Sequence, residues 1–153
     1  MEQRLNYRTA APEAFKPMYD MEAYLKGCGL ELSLVKLVKV RASQINGCAY
    51  CLHMHTSEAR AAGESEMRLY LLDAWQESQL FTARERAALA WTEALTRVSE
   101  THAPDEAYDA LKAQFTPKEI VDLTMAICQI NSWNRLMVGF RAVHPNDAKH
   151  KVG

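Results

Sequence analysis

The apolar positions recur at helical spacing along most of the chain. From Leu32, residues Leu34, Val38, Ala42 and Ile45 follow at steps of four, four and three, one stripe of a helix that Asn46-Gly47 interrupts. A further helix is predicted from about Cys48 to Ala62, with Gly63 as its C-terminal stop. Residues 65–76 read as a short helix carrying Met67, Leu71 and Trp75. Thr82-Ala83-Arg84-Glu85 has the form of a capping box and opens a helix to about Ser99, with Ala88, Trp91, Leu95 and Val98 as its core stripe. Pro104 stands at the first turn of a helix of about ten residues. Thr116-Pro117-Lys118-Glu119 is a second capping box. The long helix after it carries Ile120, Leu123, Ile127 and Ile130, turns polar at Asn131, Asn134 and Arg135, and is expected to end at His144-Pro145. Residues 1–17, with Pro12 and Pro17, read as an extended arm; a short helix over 18–26 follows, broken by Gly27-Cys28-Gly29. No segment alternates cleanly enough for a strand, so the expected fold class is all-α.

Composition narrows the picture. The 153 residues suit one domain, read as 1–153 with a polar tail at 146–153. Eighteen basic against nineteen acidic side chains leave a net charge of −1, without the basic excess of a nucleic-acid binder. No apolar run approaches the roughly 20 residues that span a bilayer, so no membrane partner is expected. Met1–Asn6 lacks an apolar leader, and the expectation is a cytoplasmic protein.

Four cysteines, Cys28, Cys48, Cys51 and Cys128, are too few and too unevenly placed for a secreted disulfide framework. Two of them form a Cys-x-x-Cys pair, and in a reducing compartment that spacing points to redox chemistry or metal binding. On a helix, Cys48, Cys51 and His55 share one face, whereas His53 points elsewhere. Residues three apart lie about 5 Å apart, within disulfide range, so the pair can cycle between dithiol and disulfide with little backbone motion. A free thiol with a pKa of about 8.5 is only slightly ionised at neutral pH. The helix N-terminus favours a thiolate at Cys48, and the i,i+4 contact with His55 favours one at Cys51; the histidine contact weighs more. Zinc is the competing reading, but tetrahedral zinc wants more ligands than one helical face supplies, and no second Cys-x-x-Cys completes a set. A pair of inert buried thiols is a third reading.

The segment Ser43-Gln44-Ile45-Asn46-Gly47-Cys48-Ala49-Tyr50-Cys51-Leu52-His53-Met54-His55-Thr56 closely resembles the core of the alkylhydroperoxidase AhpD-like proteins, within the carboxymuconolactone decarboxylase family. The resemblance is strongest over residues 32–100 and continues more loosely through Gln129–Arg135. It implies an AhpD-like helical bundle, a homo-oligomer (trimer or hexamer), and thiol-dependent reduction of small hydroperoxides. It further implies Cys51 as the attacking thiol, Cys48 as the resolving thiol and His55 in a proton relay. No bound cofactor is implied; an external dithiol reductant, such as a lipoyl-type adaptor protein, would regenerate the enzyme. The family relay also uses a glutamate twelve residues before the first motif cysteine, where this chain has Lys36. Lys36 shares a side of its helix with Lys39 and Ser43, which reads as a solvated face, and Glu58, near His55, is a candidate to orient the imidazole instead.

Other residues have simpler readings. Tyr50 is either a hydrogen-bond donor near the site or a packed aromatic. Trp133, Asn134 and Arg135 suit a pocket wall, a helix end or a subunit contact. Cys128, among Met125, Ile127 and Ile130, reads as an inert core thiol, and Cys28 as an exposed one without activation. His102, His144 and His150 fall in loops or tail. The Ala-rich stretch 87–94 reads as core or an oligomer seam. Two other functions stay open: a muconolactone-type decarboxylase, which needs no cysteine pair, and a redox-sensing or metal-binding thiol protein.

Overall fold

The computed structural model describes residues 2–144, and it is helical throughout. The elements are α1 (Tyr7–Ala10), α2 (Pro12–Gly27), α3 (Leu32–Ile45), α4 (Ala49–Ala61), α5 (Glu66–Tyr70) running into a 3-10 turn (Leu71–Ala74), α6 (Ala83–Thr96), α7 (Val98–Thr101), α8 (Asp105–Lys112) and α9 (Pro117–Phe140). The His144-Pro145 stop, the tail 146–153 and His150 lie wholly or partly outside the described residues.

Helix α3 is the central element, packed against α4, α6 and α9. Its burial explains why the main core joins Leu34, Val35 and Val38 to Ala88 and Trp91 of α6 and to Leu123 and Ile127 of α9. A second cluster sets Leu37 and Val40 against Ala59, Leu72, Trp75 and Leu89. Both predicted capping boxes form, with Thr82 and Thr116 each accepting from the backbone N–H three residues on and each glutamate reaching back. The alanines Ala87, Ala88 and Ala94 are core.

Several expectations give way. Residues 1–17 are not an extended arm: α1 and most of the first half of α2 are helical, with Pro12 at the helix start and Pro17 inside it. Burial of Tyr7 and Phe15 against Met137, Trp133 and Phe140 outweighs the backbone hydrogen bond that Pro17 forgoes. The segment 65–76 tightens into α5 and a 3-10 turn, which buries Leu69, Leu72 and Trp75 and leaves Met67 out. Helix α6 stops at Thr96, so Val98 falls outside its stripe and is exposed. Helix α9 ends at Phe140, before the expected stop. There Arg141 turns left-handed (φ 53°), and the Ala142 N–H closes on the Met137 carbonyl. Cys128 is exposed, because a step of about 100° per residue turns position 128 away from the buried face of Ile127. Lys39 and Ser43 are buried rather than solvated, Lys39 against Glu22 of α2 and Ser43 against Asn134 of α9. Among the described residues, no helix is long and apolar enough to cross a membrane.

Candidate functional site

The site is built where α3 ends and α4 begins. Gly47, at φ 63°, adopts the left-handed turn that most side chains resist. The Gly47 N–H then reaches the Gln44 carbonyl at 3.2 Å, and the Cys48 N–H reaches the Ser43 carbonyl at 3.0 Å, a Schellman closure of α3. Cys48 thereby becomes the N-cap of α4, and its Sγ accepts the Cys51 backbone N–H at 3.3 Å. Cys48 and Cys51 are joined as a disulfide across a Cα separation of 5.3 Å. Both are 1% exposed, in an apolar cluster with Tyr7, Phe15 and Met137.

A polar network pins this turn from beneath. Asn46 Nδ2 donates to Asn134 Oδ1 at 2.8 Å and to Asn131 Oδ1 at 3.0 Å. Asn134 Nδ2 donates to Ser43 Oγ at 3.0 Å, and Ser43 Oγ donates to the Lys39 carbonyl at 2.7 Å. Arg135 donates to Asn131, carbonyl and side chain both. The polar residues that interrupt the α9 stripe are therefore a buried bracket between α9 and the α3–α4 turn, and Asn134 and Arg135 do not line the cleft above it.

That cleft has a volume of about 770 Å³, a size that suits a small organic molecule. Its wall includes Cys51, His55, Glu58, Lys36, Tyr50 and Trp133, but Cys48 is not part of it. His55, 5% exposed, places Nδ1 at 3.3 Å from Glu58 Oε2. The hydrogen bond from His55 holds the Glu58 carboxyl below its ordinary range, against the opposing effect of partial burial. An ionised carboxylate only accepts, so Nδ1 carries a proton, and in the neutral imidazole the lone pair is on Nε2. Lys36 is half-buried in the cleft wall, where its Nζ donates to the Glu58 carbonyl at 3.2 Å. His53 leaves this face and stacks on the His144 ring, centroids 5.0 Å apart.

The structure thus places Cys51 and His55 one turn apart on α4 and on the cleft wall, with Cys48 as the N-cap and Glu58 bonded to the histidine. Cleft residues that the sequence reading passed over are Tyr7, Arg8, Tyr19, Glu22, Lys26 and Met54. Most of them lie on α1 and α2, in and just beyond the segment read as an arm. Among the described residues, no three His, Cys, Asp or Glu side chains converge to hold a metal ion.

The chain is an all-helical bundle of AhpD-like fold, with its Cys-x-x-Cys pair at the start of α4. The chain belongs to the carboxymuconolactone decarboxylase family, whose model matches residues 10–94. The uncharacterised protein YdfG of Bacillus subtilis (strain 168) is 44% identical over 138 residues, 90% of this chain and 94% of its own. A crystal structure from Agrobacterium tumefaciens, described as a protein of unknown function and a candidate antioxidant defence protein AhpD, superposes with a TM-score of 0.92 at 49% identity. It covers 94% of this chain and 99% of its own. The AhpD core of a peroxidase-related protein from Ralstonia eutropha JMP134 shares the fold at a TM-score of 0.79 and 17% identity. It covers 92% of this chain and 75% of its own.

Proposed function

We propose that this chain is a thiol peroxidase that reduces organic hydroperoxides through the Cys48–Cys51 pair. The observation that carries the reading is the division of labour at the start of α4. Cys51 lines the cleft with His55, whereas Cys48 lies behind it as the N-cap. In the reduced protein, His55 Nε2 takes the Cys51 proton. The Cys51 thiolate attacks the outer oxygen of the hydroperoxide, the O–O bond breaks, and the departing alkoxide takes the proton from His55 to leave as an alcohol. The resulting Cys51 sulfenic acid is attacked by Cys48, which forms the disulfide and releases water.

The same geometry serves regeneration. An incoming dithiol attacks Cys51 Sγ from the cleft and expels Cys48 as thiolate, which the Cys51 N–H and the helix N-terminus stabilise as a leaving group. The second thiol of the reductant then releases Cys51, and the reductant departs as its own disulfide. The two sequence arguments over which thiol is activated therefore concern two different steps. Glu58, rather than a residue at position 36, orients the histidine.

The reading extends to a cytoplasmic homo-oligomer, trimer or hexamer, with a small hydroperoxide as substrate, no bound cofactor, and a dithiol or lipoyl-type adaptor as electron donor. The test is consumption of tert-butyl hydroperoxide with dihydrolipoamide as reductant. The parent protein should turn over, and Cys51→Ser and Cys48→Ser should both lose turnover. His55→Ala should lose about a hundredfold or more, the usual share of a positioned base. Turnover that survives in Cys51→Ser overturns the proposal.

A further inference from the structure

The cleft is polarised along α4, and this polarity bears on which hydroperoxide it takes. The argument rests on the peroxidase reading above. At one end Tyr7, Tyr19, Tyr50 and Trp133 form an aromatic wall, with Tyr19 and Trp133 rings 5.7 Å apart. Leu32 and Met54 are exposed and face the same cleft, apolar surface left uncovered along its length. At the other end stand Lys36 and Lys26. Lys36 is fixed there by its bond to the Glu58 carbonyl. Lys26 lies one turn beyond Glu22 on α2, and Glu22 pairs with Lys39 on α3 at 2.6 Å, so the hairpin sets Lys26 toward the Lys36 end.

The charges at this end leave one cation over, since Lys26, Lys36 and Lys39 face only Glu22 and Glu58. Of the cleft carboxylates, Glu22 is committed to Lys39, and Glu58, which accepts from His55, also feels the positive charge of Lys36. Among the described residues, Lys26, Lys36 and Arg8 at the aromatic end make no ion pair, but the Arg8 guanidinium lies over the Tyr7 ring, whereas the Lys36 ammonium has donors beyond the one used on Glu58. Seven residues separate Cys51 from Glu58, about 10 Å along the helix.

The geometry points to a substrate with an apolar body, a hydroperoxide within it, and a carboxylate about 10 Å from the reacting oxygen. The hydroperoxide of an unsaturated fatty acid has this form. Its carboxylate meets Lys36 and Lys26, its chain lies along Met54 and the aromatic wall, and its peroxide reaches Cys51.

The experiment uses pre-reduced full-length protein and follows thiol loss in a single turnover, so no reductant enters. Linoleic acid hydroperoxide and its methyl ester are compared below their micelle concentrations, with cumene hydroperoxide as a neutral reference. One charge-assisted hydrogen bond predicts that the acid reacts about tenfold faster than the ester. Lys36→Met should bring that ratio close to one, Lys26→Gln at its exposed position should lower it, and Arg8→Gln at the aromatic end should leave it. Equal rates for acid and ester while cumene hydroperoxide still oxidises the thiols would overturn this inference and spare the peroxidase reading. So would a ratio unchanged in both lysine variants, or one abolished in Arg8→Gln. Failure of all three peroxides to oxidise the thiols overturns both.

Discussion

Asn134 is where fold and site are joined, and its replacement by alanine tests that joint. The side chain is 1% exposed and carries two hydrogen bonds, one from Asn46 at 2.8 Å and one to Ser43 at 3.0 Å. Truncation removes both, at about 1 kcal/mol each net. It also strands one amide hydrogen of Asn46, whose other hydrogen still reaches Asn131, at a further cost of about 1 kcal/mol. The sum is a loss of about 3 kcal/mol, read from urea denaturation of reduced protein at neutral pH. A double-mutant cycle with Ser43→Ala should show about 1 kcal/mol of coupling, since the two share one bond. The same variant should close its disulfide more slowly after oxidation of Cys51, because the Asn46-Gly47 turn that seats Cys48 has lost its bracket. A loss below about 1 kcal/mol with no coupling would refute the view that this network holds the turn.

Three further outcomes follow. Thr116→Ala should cost about 1 kcal/mol in thermal or chemical denaturation, as a lost N-cap does. The Thr116 backbone N–H, with Arg84 and the Thr116 hydroxyl, lowers the Glu119 carboxyl from 4.5 to about 2. A depressed carboxylate stabilises the fold above its unfolded pKa and loses that contribution as pH falls toward its folded one. Stability should therefore decline from 4.5 down to about 2, less steeply in Glu119→Gln, as followed by circular dichroism across that range. Glu58→Gln should slow sulfenic acid formation at Cys51 severalfold without unfolding the protein, because Glu58 is largely exposed and acts through His55; stopped-flow thiol oxidation reads this.

What the sequence disclosed was local chemistry. The two Thr-x-x-Glu boxes, the Gly47 and Gly63 stops and the placing of Cys51 and His55 one turn apart on α4 all depend on residues within a turn or two of one another, and each appears as read, whereas Cys48 caps the helix instead of sharing its cleft face. The bracket under the site was not legible, because Asn46 and Asn134 are 88 positions apart and an asparagine in an apolar stripe has several ordinary explanations. Lys39 and Ser43 looked solvated because α3 shows one stripe strongly; only its neighbours reveal that the other sides are covered too. The two prolines near the start argued for an extended arm, and the tertiary burial of Tyr7 and Phe15 overruled them. That misreading also hid Tyr7 and Arg8 of the cleft wall, and Tyr19, Glu22 and Lys26 follow on the same α2 that Phe15 helps to dock. Cys128 was misplaced for a simpler reason, one step of helix rotation away from its apolar neighbours.

The most direct test of the central claim is a thiol count with intact mass after reduced protein meets one equivalent of an alkyl hydroperoxide, beside Cys48→Ser and Cys51→Ser. The account predicts that the parent loses two of its four thiols, leaving Cys28 and Cys128 free. It predicts a sulfenic acid at Cys51 in Cys48→Ser and little reaction in Cys51→Ser. A parent protein that keeps all four thiols, or a sulfenic acid that forms at Cys48 in Cys51→Ser, would contradict it.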